Sequence, residues 1–246
     1  MNLKKILFYI LIIFSVFFIY KLNYKGRINY VVLGDSLALG LNPYGEKNYG
    51  YSSYLADYLL ENNLLNKYVS EFAKNGNTPR NIIDDINFNK RVITNNKSIN
   101  IRNILRESDL VTISIGMNNI KELIKKPIML NNSLDKINLK NDIDILLKEI
   151  SILVKEVKKY AKKDIYLIGF YNPYPYFKTY KIDVEKIINY TDTSLEKICL
   201  ENNIKFIKIS KVLADYLEFF PNSLDMHPNI SGYEKIFIEI KKKLVI

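Results

Sequence analysis

Histidine and cysteine are almost missing from this 246-residue chain, which holds one of each, His227 and Cys199. A single cysteine excludes an intrachain disulfide and is compatible with either side of a membrane. The pair together excludes a zinc site of mixed His and Cys ligands, and also a Cys-His site with a second supporting histidine. Neither a metal nor a cofactor is expected. If a histidine serves as general base, it must be His227. Cys199 falls within a helical pattern and reads as a small core residue. Phosphate-cradling loops are lacking too: there is no P-loop, and nothing like Gly-x-Gly-x-x-Gly follows the first strand pattern. Ser36 is not framed by Gly-x-Ser-x-Gly, and it comes far too early for the elbow of an α/β-hydrolase. Internal repeats, low-complexity tracts and a second-domain linker are also absent.

One long apolar run is present. Ile6 to Tyr20 are apolar or aromatic apart from Ser15, with Lys4 and Lys5 in front and Lys21, Lys25 and Arg27 behind. A membrane span needs about 20 apolar residues, or about 17 at the short end; Leu3 and Leu22 extend the run to that length if the lysines snorkel. No small-residue cleavage site follows the run, and no cysteine follows closely enough for lipid modification. Residues 1–27 are therefore expected to be an uncleaved signal anchor with a juxtamembrane linker, and residues 28–246 one domain with a sizeable core. The flanking charges tie, so they do not orient the span. Because a short N-terminal anchor most often serves export, the expectation is a single-pass cell-membrane protein with an extracytoplasmic body. The net charge of +10 and pI near 9.3 favour anionic neighbours, phospholipid head groups or wall polymers. Nucleic acid is disfavoured, because lysines such as Lys155, Lys158, Lys159, Lys162 and Lys163 spread along a helical face.

Beyond residue 28, short apolar runs alternate with helical patterns. Tyr30–Leu33, Tyr68–Phe72, Leu110–Ile115, Ile165–Phe170 and Ile204–Ile209 read as strands. Tyr51–Leu60, Ile137–Ala161, Val184–Leu200 and Tyr233–Leu244 read as helices; the second has an apolar face of Ile143, Ile145, Leu146, Ile150, Leu153 and Val154. The Asn-rich stretch Asn87–Asn100 reads as a surface loop. Such alternation predicts an α/β fold with a central parallel sheet between two helical layers, flavodoxin-like in layering. Ligands then sit beyond the carboxyl ends of the strands, where Ser36, Gly76, Asn118 and the tyrosine-rich stretch after Phe170 lie.

Gly34-Asp35-Ser36-Leu37 places a serine right after the first strand and at a helix start, where the helix dipole favours negative charge. A serine there can equally be a plain N-cap. Asp225-Met226-His227-Pro228-Asn229 reads as a loop before the last helix, which Ser231 can cap.

These segments resemble the blocks of SGNH hydrolases, also called GDSL esterases and lipases. Gly34-Asp35-Ser36-Leu37 resembles the first block, and Gly76 in Lys74-Asn75-Gly76-Asn77-Thr78 looks like the second-block glycine. Gly116-Met117-Asn118-Asn119 is similar to the third block, Gly-x-Asn-Asp, with Asn119 in place of Asp. Asp225 to Asn229 resembles the last block. The resemblance implies Ser36 as nucleophile and His227 as its base. It implies an oxyanion hole from the Ser36 and Gly76 N–H groups and the Asn118 side-chain amide. Gly76 suits that role, since a backbone N–H approaches closely only where no side chain intrudes. The family usually places Asp three residues before His, where this chain has Leu224. Asp225 lies two before; in an extended loop such residues point the same way, with Cα atoms about 6.6 Å apart. Either the Asp225 carboxylate or a backbone carbonyl can then orient His227.

The substrate implied is a carboxylic ester, an O-acyl group on an envelope glycan or a lipid, cleaved through an acyl-enzyme. An acyltransferase would use the same residues, and a catalytically silent envelope-binding module is a third reading. Tyr171, Tyr174, Tyr176, Phe177 and Tyr180, with Pro173 and Pro175, could stack on sugar or line an acyl pocket. They could equally pack on the scaffold or sit at a membrane interface.

Overall fold

The computed structural model describes residues 12, 26–94, 96–129, 136–173, 184–214 and 216–245. The chain opens with β1 (Ile28–Gly34), α1 (Ser36–Leu39), α2 (Tyr51–Glu61), β2 (Leu65–Ala73) and α3 (Pro79–Asn87). There follow β3 (Arg91–Thr94), β4 (Lys97–Asn100), α4 (Ile101–Glu107), β5 (Leu110–Ser114), α5 (Met117–Met129) and α6 (Lys136–Tyr160). β6 (Asp164–Ile168), α7 (Val184–Glu201), β7 (Lys205–Ile207), α8 (Tyr216–Phe219) and α9 (Ile230–Lys243) complete it.

β1 and β5 are apolar runs because both of their faces are covered. Every residue of β5 is buried, and β1 is buried except at Asn29. Burying a side chain such as Val31, Leu33 or Ile113 contributes about 1.5–3 kcal/mol each. The sheet order is β2-β1-β5-β6-β7, with all neighbours parallel. The chain steps outward from β1 to β2, then returns to the other side of β1 for the remaining strands. Right-handed crossovers therefore send α2 to one face and the helices between the later strands to the other. The packing agrees: α2 meets α9, while α3 and α4 meet α6, which also meets α7.

The order reverses between β1 and β5, the place where such sheets open a crevice for ligands. Register levels the strand ends there, since Gly34 pairs with both Ala73 and Ser114. Residue 34 must be glycine: its φ is +150°, and a Cβ would stand 2.1 Å from the Ser114 carbonyl oxygen and 2.7 Å from Ala38 Cβ.

Four local expectations change. The stretch Asn87–Asn100 is not a loop, because β3 and β4 form an antiparallel hairpin whose Val92 and Ile99 pack on the core. α3 precedes it, fixed by Thr78, which accepts from the Asn81 N–H while the Asn81 side chain accepts from the Thr78 N–H. α9 starts at Ile230 and is capped by Asn229, not Ser231: Asn229 Oδ1 accepts from the Gly232 N–H at 3.0 Å. On α6, Ile145 is 60% exposed, and Leu147 and Val157 complete the buried face. Among the described residues no helix is long and apolar enough to cross a membrane. The run Ile6–Tyr20, read as an anchor, lies outside those residues save for Ile12.

Candidate active site

The sharp turn after β1 delivers Ser36. Asp35, not Ser36, is the N-cap of α1: its Oδ1 accepts from the Leu37 N–H at 3.1 Å, which leaves the serine hydroxyl uncommitted to capping. α1 is a single turn closed by Gly40, so its dipole is weak, and the local donors are individual N–H groups. Both residues are enclosed, with Asp35 2% and Ser36 4% exposed.

His227 arrives from the opposite end of the sequence. Its Nε2 lies 2.7 Å from Ser36 Oγ, and its Nδ1 lies 2.6 Å from Asp225 Oδ1. The same Asp225 oxygen accepts from the His227 backbone N–H at 2.7 Å. Of the two groups left open by the sequence, the carboxylate is the one that lies against Nδ1. Leu224, at the family's usual aspartate position, is 85% exposed and takes no part. Burial raises the Asp225 carboxyl pKa, but the His227 side-chain and backbone hydrogen bonds outweigh it, and the group is held below the ordinary carboxylate range. It is the anionic partner that an imidazolium needs.

The histidine loop is tied down by side chains. Asn222 Nδ2 donates to the Pro43 carbonyl at 2.7 Å, and its Oδ1 accepts from the Leu224 N–H at 3.0 Å. Tyr171 OH donates to the Met226 carbonyl, next to the histidine, at 2.9 Å. Its ring stacks on Phe220 with centroids 5.6 Å apart. Of the two readings open for Tyr171, substrate contact or packing on the scaffold, its burial (1% exposed) and the use of its hydroxyl on the loop correct the first and leave the second. Tyr174, Tyr176, Phe177 and Tyr180 lie outside the described residues.

Gly76 and Asn118 follow β2 and β5, just beyond their levelled ends. Gly76 has φ +77° with open space where a Cβ would be, so the left-handed backbone, not crowding by neighbouring atoms, favours glycine. Asn118 Nδ2 donates to the Asn77 carbonyl at 3.2 Å, which fixes the amide beside this turn and, among the described residues, leaves its second N–H uncommitted. Asn77 in turn donates to the Gly34 carbonyl at 3.0 Å. Sequence reasoning missed Asn77 and Asp35, although both sit inside the blocks that it singled out.

A model of the GDSL-like lipase/acylhydrolase family matches residues 32–235. The chain belongs to the GDSL-like lipase/acylhydrolase family. It is an ester-hydrolysing enzyme of the SGNH type. Solved structures share the fold of this GDSL-like enzyme. A lipase from a goat rumen metagenome is 20% identical, with a TM-score of 0.66 over 87% of this chain and 95% of its own. An acetylxylan esterase from Geobacillus stearothermophilus is 17% identical, with a TM-score of 0.60 over 89% and 94%. An α/β hydrolase from the metagenome of Lake Arreo, Spain, is 15% identical, with a TM-score of 0.62 over 89% and 95%. At these identities the likeness speaks to the fold alone. A search among curated proteins returns no match.

Two further features mark this GDSL-like site. Burial pushes the Asp35 carboxyl up to about 7, against the N–H bonds and the nearby His227 that favour its charge. A cavity of about 470 Å³ adjoins the Gly76 and Asn118 side, walled by Thr78, Leu123, Ile145 and Leu146. Among the described residues its carboxylates are Glu122, Asp142 and Glu149, and Glu149 pairs with Arg80 at 3.6 Å. Among the described residues no cluster of three or more His, Cys, Asp or Glu could hold a metal ion.

Proposed function

We propose that Ser36 is the nucleophile of a serine esterase that works through an acyl-enzyme. The observation that carries this reading is the unbroken chain from Ser36 Oγ through His227 to Asp225. As Oγ attacks the ester carbonyl carbon, its proton passes to His227 Nε2, and the imidazolium so formed is stabilised by Asp225. The carbonyl oxygen becomes an oxyanion, for which the donors are the Ser36 and Gly76 N–H groups and the free N–H of the Asn118 amide. Each such donor is worth roughly 3–4 kcal/mol at the transition state. Collapse breaks the ester C–O bond, and the leaving alkoxide takes the proton from Nε2. Water then repeats the cycle on the acyl-enzyme and releases the acid.

The favoured substrate is an O-acyl group on an envelope glycan. The mixed apolar and amide walls of the cavity beside Asn118 suit a sugar better than a long acyl chain, since its carboxylates would be desolvated by hydrocarbon. We read the run Ile6–Tyr20 as a single-pass tether that leaves the domain outside the cytoplasm.

Incubation with a fluorophosphonate probe tests the nucleophile. Native protein should label covalently, while Ser36→Ala should not. His227→Ala should fold normally, label far more slowly, and lose several orders of magnitude in kcat on a short ester. Labelling that persists in Ser36→Ala would remove the serine from the mechanism.

A further inference from the structure

The cavities at the two ends of the parallel sheet differ in the charge of the described residues that line them. At the carboxyl end, the cavity beside Asn118 is lined, among the described residues, by three carboxylates, of which Glu149 pairs with Arg80 at 3.6 Å. At the amino end lies a wider basin of about 830 Å³, lined by Arg27, Lys158, Lys162, Lys163 and Lys205 against Asp109 and Asp164. The last turns of the helices that end there add Lys159 from α6 and Lys241, Lys242 and Lys243 from α9. Complementing a helix dipole explains one or two cations at each helix end. It does not explain a triplet on α9, nor Lys162, Lys163 and Arg27, which lie outside any helix.

Some of this charge is matched locally. Lys163 pairs with Asp109, Lys205 with Asp164, Lys159 with Glu156 and Lys242 with Glu239. Among the described residues, Arg27, Lys158, Lys162, Lys241 and Lys243 have no acidic partner. Lys158 reaches only the Asn202 carbonyl, and Lys241 lies over the Tyr58 ring at 4.3 Å. The chain also enters the domain at this edge, since Gly26 and Arg27 line the basin six residues beyond the end of the apolar run at Tyr20.

We propose that the amino-terminal edge of the sheet is a docking surface for anionic phospholipid head groups, which holds the catalytic end away from the bilayer. The proposal rests on the reading of Ile6–Tyr20 as a membrane tether. A tether brings this edge to the head-group layer, and each basic residue held there improves partitioning to an anionic surface by about fivefold. β1 alone separates that edge from the Ser36 turn by about 20 Å, at about 3.3 Å per residue over seven residues. The docked orientation therefore presents the catalytic end to polymer beyond the membrane, not to lipid within it.

The test uses the full chain in phosphatidylcholine vesicles, with or without phosphatidylglycerol. Lysines are labelled with an acetylating reagent and their rates read by peptide mass spectrometry. Lys162, Lys241 and Lys243 should be acetylated at least about fivefold more slowly in the anionic vesicles, with the protection lost in high salt. Lys47, in the loop after α1, should react equally in both. The double variant Arg27→Glu, Lys162→Glu should lose the protection at Lys241 and Lys243. Equal rates in the two vesicle types, or protection centred on Lys47, would overturn the proposal. So would stronger protection by soluble polyglutamate in detergent, which would make an anionic polymer the partner. A chain that fails to float with phosphatidylcholine vesicles would remove the tether on which the proposal rests. Fluorophosphonate labelling of Ser36 is independent of all these outcomes, so the esterase reading stands or falls separately.

Discussion

The serine turn and the histidine loop meet in one hydrogen bond, yet they are held by different means. The serine turn is held chiefly by backbone, through strand register and a glycine that admits no side chain, with the Asp35 cap and the Asn77 amide added to them. The histidine loop is held by side-chain tethers from Tyr171 and Asn222 to carbonyl groups. Damage to the first should therefore show as lost folding, and damage to the second as lost turnover in a folded protein.

The largest expected effect falls on the loop. Asp225→Asn should lower kcat by up to about 10⁴ with little change in KM, because the lost interaction strengthens only at the transition state. Its melting temperature should stay near that of the parent; steady-state kinetics beside a thermal melt will show whether rate and stability separate. A loss of only a few-fold would return the orienting role to another group.

Gly34→Ala gives the opposite pattern. A Cβ 2.1 Å from the Ser114 carbonyl cannot be accommodated without parting β1 from β5. Destabilisation by more than about 3 kcal/mol is expected, in denaturant unfolding or as failure to accumulate soluble protein. A stable, folded alanine variant would show that register, and not the glycine, holds the serine turn.

Asp35 sharpens the contrast through pH. Its folded carboxyl, raised from 3.8 to about 7, favours the protonated form, so its contribution is fully present below the unfolded value and is lost as pH rises through the folded one. Parent stability should therefore fall between pH 4 and 7 by an amount on the order of a few kcal/mol. Asp35→Asn keeps an oxygen for the Leu37 N–H but cannot ionise, so its melting temperature relative to the parent should climb across that window. Parallel curves for the two proteins would contradict this.

The smallest effect is expected at Tyr171. Tyr171→Phe keeps the stacking on Phe220 and removes only the bond to the Met226 carbonyl. A kcat loss of about tenfold, equivalent to about 1.4 kcal/mol, is expected with KM unchanged. An intact kcat with a lowered melting temperature would make Tyr171 a packing residue and nothing more.

This division also decided what could be read from the sequence. The strands were legible because β1 and β5 are buried on both faces and read as unbroken apolar runs. Ser36 and His227 stood out as candidates because their segments resemble the first and last SGNH blocks, and because the chain has no second histidine. The orienter of His227 was not, since spacing alone does not say whether a loop is extended enough for Asp225 to reach the ring. The sequence left Tyr171 open between substrate contact and packing, because its direction depends on where the histidine loop lies, a contact 55 residues away. The hairpin at Arg91–Asn100 was hidden by asparagines, and by strands of four residues, too short for alternation to stand out. α9 was placed late because Asn229, and not Ser231, closes its first turn.

The Asp225 oxygen that touches both the backbone and the ring of His227 has a consequence for how competence is acquired. Acid and base lie within three consecutive residues, so their pairing needs almost no chain entropy and can form in any state that leaves the loop intact. The Ser36 contact spans 191 positions and closes nearly the whole domain into one ring. During refolding, the recovery of a reactive serine thus reports a single event, the docking of the last segment of the chain onto the first.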